Sequence, residues 1–217
     1  MIIVPEIETV ILQPPRTGSS SVKDAVLAKY KSAFMLYRHM EYSGLPAGYD
    51  RWRVICQVRE PHRRLESLFK YMRDPELRGD TDPVWLESVR KATERGFEHW
   101  LLHDQYIFAN PTPSGYKAYR PRYQVNCAWR EQIKSQSLYA KEADELLFFE
   151  SLVESARNML GIELDVKRGA TEPEKFKWTP EMEAHLRKWH DWDLLLYDPT
   201  HLYPHRIRFT PKPMFGT

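Results

Sequence analysis

Two short stretches of this 217-residue chain carry residue types suited to binding anions. The first is Pro14-Pro15-Arg16-Thr17-Gly18-Ser19-Ser20-Ser21. It lies between a β-rich run, Thr9-Val-Ile-Leu-Gln13, and a segment where Val22, Val26 and Tyr30 recur at about helical spacing. A helix N-terminus presents unpaired backbone N–H groups and the positive end of the helix dipole. Gly18 lets the backbone approach a bound anion, the hydroxyls add donors, and Arg16 adds a permanent charge. The plainer reading is a Ser-rich helix cap with a solvated arginine. The second stretch is Val58-Arg59-Glu60-Pro61-His62-Arg63-Arg64-Leu65-Glu66-Ser67-Leu68-Phe69. Arg59 closes a strand-like run and Ser67 lies about two turns into the following helix, at 5.4 Å per turn. A fork-shaped guanidinium and a directional hydroxyl could then meet one small dianion. A surface helix laced with Arg–Glu pairs would read the same.

The elements that must position these groups follow from periodicity and punctuation. Strands are expected at Thr9–Gln13, 33–37, Arg53–Val58 and 146–149. The first stops at Pro14-Pro15. A loop with Gly44, Pro46 and Gly48 leads into the third, and Pro61 stands at a favourable first-turn position for a helix with Leu65, Leu68, Phe69 and Met72 as its apolar stripe. Helical patterns resume from Pro83 to about Leu102, and Ser151 caps a helix closed by Gly161. Thr179-Pro180-Glu-Met-Glu starts a last helix that ends near Asp193. Residues 74–83 and 110–121, rich in proline, read as loops. Strands alternating with helices imply parallel pairing, so the expected class is α/β: one domain over residues 1–217, with a short parallel sheet flanked by helices on both faces.

Composition sets the limits. Apolar residues make up 42% and charged residues 29%, enough for a core and against global disorder. Thirty-two Lys plus Arg against 30 Asp plus Glu leave a formal charge of +2, no global footprint for nucleic acid or an acidic membrane, so any anion must be held locally. Cys56 and Cys127 have no Cys-x-x-Cys spacing, which argues against a disulfide scaffold or a zinc-thiolate centre and fits a reducing compartment. No segment approaches the ~18 apolar residues of a membrane span, and Met1 to Val4 lack the basic start and longer apolar stretch of a secretory signal. A soluble cytoplasmic protein is the expectation. The first stretch is not a Walker A loop, which needs a second glycine and a lysine.

Together the two stretches resemble the cofactor signatures of sulfotransferases that use 3′-phosphoadenosine 5′-phosphosulfate. The family's 5′-phosphosulfate loop reads roughly Pro-[Lys/Arg]-x-Gly-[Thr/Ser]-[Thr/Ser], matched in order by Pro15, Arg16, Gly18, Ser19 and Ser20. Its 3′-phosphate motif reads roughly Val-Arg-[Asp/Asn]-Pro-x-x-Arg-x-x-Ser-x-[Tyr/Phe], matched by Val58, Arg59, Pro61, Arg64, Ser67 and Phe69, with Glu60 departing from the usual Asp or Asn. Leu147-Phe-Phe-Glu150-Ser-Leu152 looks like a strand–helix junction that often reads Tyr-Glu-Asp-Leu. The segment through Trp189, Asp193 and Leu196-Tyr197 looks like the closing helix of Golgi-type carbohydrate members. The likeness is specific over residues 9–72, looser over 144–197 and absent between, which leaves 74–143 as the expected acceptor-side insertion.

The resemblance implies a P-loop-like sulfotransferase fold and in-line transfer of a sulfuryl group to an acceptor hydroxyl, possibly on a carbohydrate, without a metal. Such a transition state spreads charge over leaving and equatorial oxygens, so positioning and electrostatics dominate. Arg16 stands at the family's catalytic lysine position; too basic to give up a proton, it would stabilise the leaving oxygen as a charge. The resemblance assigns Pro15, Arg16 and the main-chain N–H groups of Thr17, Gly18, Ser19, Ser20 and Ser21 to the phosphosulfate, and Arg59, Arg64 and Ser67 to the 3′-phosphate. Lys167-Arg168-Gly169 has the composition of a basic loop that closes over that phosphate in cytosolic members, but its order is inverted and the downstream residues differ, so a solvated loop is the preferred reading. The acceptor's base is His39, at the position of a catalytic histidine in uronyl 2-O-sulfotransferase-like members, or Glu41. His62, at a variable motif position, reads as surface.

Other features carry less. His185 and His190 are five apart, and Pro204 lies between His201 and His205, so no metal site is expected from them. Tyr116-Lys-Ala-Tyr-Arg-Pro-Arg-Tyr123 could recognise an acceptor or merely cover the core. The alternatives from other classes are a non-catalytic module that keeps the nucleotide site, and a P-loop kinase acting on a small metabolite, disfavoured by the absent Walker lysine.

Overall fold

The computed structural model describes residues 1–36, 39–74, 83–104, 135–165 and 176–197. The chain forms two compact units: Met1–Val58 with Tyr139–Asp165 and Leu196–Thr217, and Arg59–Leu138 with Val166–Leu195. The class is α/β, with a mixed, open five-stranded sheet flanked by helices.

The first unit is built on that sheet: β1 (Ile2–Val4), β2 (Thr9–Leu12), β3 (Phe34–Met35), β4 (Arg53–Val58) and β5 (Glu145–Phe148), in the order β3-β1-β2-β4-β5. The β2-β4-β5 half is parallel, as helical crossovers require. The other half is not, which corrects the expectation of an all-parallel sheet. β1 pairs antiparallel with β2 through Ile2↔Ile11, and β3 pairs antiparallel with β1. The physical cause is the connection. Pro5–Ile7 form one 3-10 turn and Glu8 adopts a left-handed φ of 45°, too short a link for anything but a reversal. β1 also lacks the alternation that marks a strand in a sequence, because Ile2, Ile3 and Val4 are all buried.

Two helices cover one face. Val22 and Val26 of α1 (Ser19–Lys29) and Leu152, Ala156 and Leu160 of a helix at Leu152–Leu160 pack with Ile2, Val4, Ile11, Ile55 and Leu147. The alternate residues Ile3, Val10, Leu12, Val54, Cys56 and Val58 are also buried, so neither face of the central strands meets water. The Leu152–Leu160 helix ends at Gly161 (φ 60°), as expected. Its last carbonyls accept from Tyr30 Oη at 2.6 Å, from Lys29 Nζ and from Arg53 Nη1 at 3.1 Å, donors placed where the dipole is negative.

In the second unit, α2 (Pro61–Arg73) buries Leu65, Leu68, Phe69 and Met72, the stripe expected from spacing. With α3 (Pro83–Thr93), Phe97, Trp100 and Leu101, and with Met182 and Leu186 of the last helix, they form a second core rich in ring contacts; Phe97 lies 4.4 Å from Phe176 between ring centres. Pro83 to Leu102 is not one helix: Gly96 (φ 90°) breaks it, and Trp100–Asp104 continue as a π-helical turn. Numbered in chain order, Leu152–Leu160 is α4 and Pro180–Leu195 is α5. Thr179 caps α5, its hydroxyl accepting the Met182 N–H at 3.4 Å. Among the described residues no helix is long and apolar enough to cross a membrane.

Candidate functional site

In the first unit, the loop from Pro14 to Gly18 leaves the carboxyl end of β2 and enters α1. Its shape is set by two buried glutamines. The register Leu12↔Cys56 carries Gln13 and Gln57 side by side just past the paired ends of β2 and mid-β4. Gln13 Nε2 donates to Gln57 Oε1 at 2.8 Å and to the Ser19 carbonyl at 2.9 Å; Gln57 Nε2 donates to the Thr17 carbonyl at 3.2 Å. Thr17, fully buried, turns its hydroxyl back onto the Pro14 carbonyl at 2.8 Å. The loop's carbonyls are thus drawn inward.

Its backbone alternates in hand. Arg16 (φ 68°) and Gly18 (φ 83°) are left-handed, with Thr17 of ordinary φ between them. Pairs of αR and αL residues are the backbone pattern from which anion-binding nests are built. Gly18 is also the helix cap, which corrects the expectation of a serine cap: Ser19, Ser20 and Ser21 form the first turn, and the Gly18 carbonyl takes the Val22 N–H at 3.3 Å. A Cβ on Gly18 would lie 2.7 Å from Leu152 and 3.2 Å from Phe149, so both conformation and packing demand glycine.

His39 belongs to the same place. Its Nδ1 lies 2.8 Å from the Gln13 carbonyl oxygen. A carbonyl only accepts, so Nδ1 carries a proton. The His39 carbonyl accepts the Tyr139 hydroxyl at 3.2 Å, and its φ is 55°. Non-glycine residues with positive φ number three among those described, Glu8, Arg16 and His39, and two of them are the expected catalytic positions. Left-handed backbone at a bulky residue costs on the order of 1–3 kcal/mol and concentrates at working sites. Glu41 precedes a 3-10 turn, Tyr42–Gly44, with its carbonyl accepting the Gly44 N–H at 3.0 Å.

The second unit begins with the stretch from Arg59 to Phe69, where a 3′-phosphate site is expected. Glu60, the departure from the expected Asp or Asn, performs the cap: its carboxylate accepts the His62 and Arg63 N–H groups at 3.1 and 2.8 Å. Half-buried Ser67 lies on α2. Arg64 is turned inward, 1% exposed, with Nη1 at 3.4 Å from Asp193 Oδ2. His62, expected at the surface, is held between carboxylates, Nδ1 donating to Glu60 at 2.6 Å and Nε2 to Glu183 at 3.1 Å. Donation from both nitrogens makes it an imidazolium. The hydrogen bond to Glu60 raises its pKa against the opposing effect of burial, with Glu183 adding to the rise. Burial works against the Glu60 carboxylate, but the bond from His62 and the two N–H groups prevail and hold its pKa below the ordinary value.

The Arg59 N–H donates to Gln136 Oε1 at 2.9 Å, and Gln136 Nε2 donates to the Arg59 carbonyl at 2.6 Å. Neither Gln13, Gln57, Gln136 nor Asp193 is foreseeable from motif spacing, although an amide side chain closing a β-run beside a candidate loop is a usable signal. Lys167 and Arg168, the 116–123 stretch, and His201 with His205 lie outside the described residues. His190 is buried and donates from Nδ1 to Asp193 at 3.3 Å. Among the described residues no cluster of His, Cys, Asp and Glu is arranged for a metal ion. Comparison with known proteins returns no match: no family model, no curated protein and no solved structure.

The expected outcomes concern stability. Gln57→Leu leaves the Thr17 carbonyl without its donor and costs about 1–3 kcal/mol in urea unfolding. The Gln13→Leu, Gln57→Leu double variant costs less than the sum of its singles, because their shared bond is lost only once. For His62 the folded pKa is raised, so its contribution is complete below the unfolded value of about 6.5 and is lost as pH rises through the folded value. Glu60 contributes above its unfolded value of about 4.3 and loses that as pH falls through its depressed folded value. The contribution of the His62–Glu60 pair to stability therefore peaks between these limits, and His62→Ala removes that pair's decline on the alkaline side.

Proposed function

We propose that the chain is a sulfotransferase that moves a sulfuryl group from 3′-phosphoadenosine 5′-phosphosulfate to an acceptor hydroxyl. The observation that carries this reading is the loop after β2: a left-handed Arg16 and Gly18, carbonyls pulled inward by Gln13 and Gln57, and His39 hydrogen-bonded at the loop's root. The donor set suits the cosubstrate. N–H groups at a helix N-terminus with an adjacent guanidinium suit a phosphosulfate, and Arg59 with Ser67 adds a fork and a hydroxyl for a second phosphate.

When bound, the nucleotide supplies the sulfuryl group and a stable phosphate leaving group. The N–H groups of Thr17 to Ser21 hold the anionic end in place. Arg16 keeps its charge throughout and opposes the negative charge that grows on the leaving oxygen. His39, with its proton fixed on Nδ1, takes the acceptor hydroxyl's proton at Nε2. Arg59 and Ser67 hold the 3′-phosphate, the group that separates this nucleotide from ATP. The acceptor is a hydroxyl compound, for which a carbohydrate is the leading class, and the P-loop-like sulfotransferase fold is part of the same proposal. The expected cytoplasmic setting belongs with it.

The expected outcome of a thermal-shift comparison is stabilisation by 3′,5′-ADP and none by ATP with magnesium. Stabilisation by ATP–magnesium alone would instead favour a small-molecule kinase and end this reading. In a sulfate-transfer screen over hydroxyl acceptors, His39→Ala is expected to lower turnover by about 10²- to 10⁴-fold while 3′,5′-ADP binding is kept. Unchanged turnover would move the base role to Glu41. Nucleotide binding with no acceptor modified would favour the non-catalytic module.

A further inference from the structure

We infer that Gln136 is a positioning residue for 3′-phosphate recognition, acting through the backbone of Arg59. The inference rests on the reading that Arg59 takes that phosphate.

Arg59 is the first residue beyond β4, where the ladder no longer supplies partners for the main chain. A backbone N–H and C=O in a partly buried position must find partners elsewhere. One side chain supplies both. The Gln136 carboxamide accepts from the Arg59 N–H at 2.9 Å and donates to the Arg59 carbonyl at 2.6 Å, as a neighbouring strand would. Gln136 is itself fully buried.

Gln136 is in turn fixed by Asp193, 1% exposed on α5. Asp193 Oδ2 accepts the Gln136 N–H at 3.0 Å, and Oδ1 accepts the Ser137 N–H at 2.8 Å and the Ser135 hydroxyl. Arg64 at 3.4 Å and His190 at 3.3 Å complete the set. Burial disfavours this carboxylate, yet the bonds from His190 and Ser135 and the Arg64 charge keep its pKa below the ordinary value. A charged, fully engaged carboxylate therefore holds three consecutive residues rigid, and the middle one holds Arg59.

The consequence is pre-organisation. An arginine has a long, rotamer-rich side chain, and ordering it on a ligand costs affinity. With the Arg59 backbone clamped, the direction of its Cα–Cβ bond is set before the ligand arrives. Loss of the clamp should therefore weaken recognition of the 3′-phosphate and leave recognition of the 5′-end alone.

The test is equilibrium binding of 3′,5′-ADP and of 5′-AMP to the full chain, in wild type, Gln136→Met and Gln136→Glu. Methionine nearly conserves volume and removes both bonds; glutamate keeps the acceptor for the Arg59 N–H and loses the donor. Wild type should prefer 3′,5′-ADP. Gln136→Met should bind 3′,5′-ADP about 3- to 10-fold more weakly with 5′-AMP unchanged, and Gln136→Glu should fall between. Equal weakening for both nucleotides, or a preference kept in full, overturns the clamp while the sulfotransferase reading stands. A wild-type chain with no preference for the 3′-phosphate overturns that reading and the inference with it. Amide exchange in the free wild-type chain adds an arm that needs no variant: the Arg59 N–H should be strongly protected, and exchange at the rate of an open loop overturns the clamp.

Discussion

The hydrogen bond between the Gln13 and Gln57 side chains, 2.8 Å long and sealed from solvent, is the joint on which the first unit's loop turns. A loop that leaves a buried strand carries carbonyls which water does not reach, and each must be answered by a donor or cost roughly 1–3 kcal/mol. The parallel register of β2 and β4 brings the two amides together, and their remaining N–H groups take the Thr17 and Ser19 carbonyls. Once those carbonyls face inward, the N–H groups between them are turned the other way. The left-handed backbone of Arg16 lies in this same loop.

The second unit solves the same problem with the same chemistry. Gln136 answers both main-chain groups of Arg59, and Asp193 answers Gln136 and its neighbours. Buried networks of this kind specify one arrangement because any partly satisfied alternative is costly. They also sort the basic residues of the Arg59 motif. His62 is matched by Glu60 and Glu183, Arg63 by Glu66, and Arg64 by Asp193. Three of the motif's cations thus have carboxylates within their own unit.

Much of the framework was readable residue by residue. The run Arg53–Val58 is a strand to its last residue, the α2 stripe is buried as spaced, and Gly161 and Thr179-Pro180 mark helix ends where punctuation places them. β1 was not readable, because three residues buried on both faces show no alternation and Pro5 looks like an interruption rather than a turn. The mixed sheet followed from that omission. Of the site, the loop composition and the Arg59 motif were legible as types and spacings, whereas glutamines and a distant aspartate have no periodicity to betray them.

The amino-acid sequence by itself determined most of the strands and helices, β1 excepted, where the candidate anion loop begins, and which side chains could bear charge or take a proton. These are local properties, set by side-chain period, by glycine and proline, and by residue type. Only the tertiary structure decided that β1 folds back antiparallel, that His39 hydrogen-bonds to the root of the Gly18 loop, that Arg64 turns inward to Asp193, and that Gln136 holds Arg59. The reversal of β1 comes from its short link, and the other three depend on which buried donor meets which buried acceptor across tens of residues. That pairing is settled by strand register and packing, which no single stretch of sequence contains.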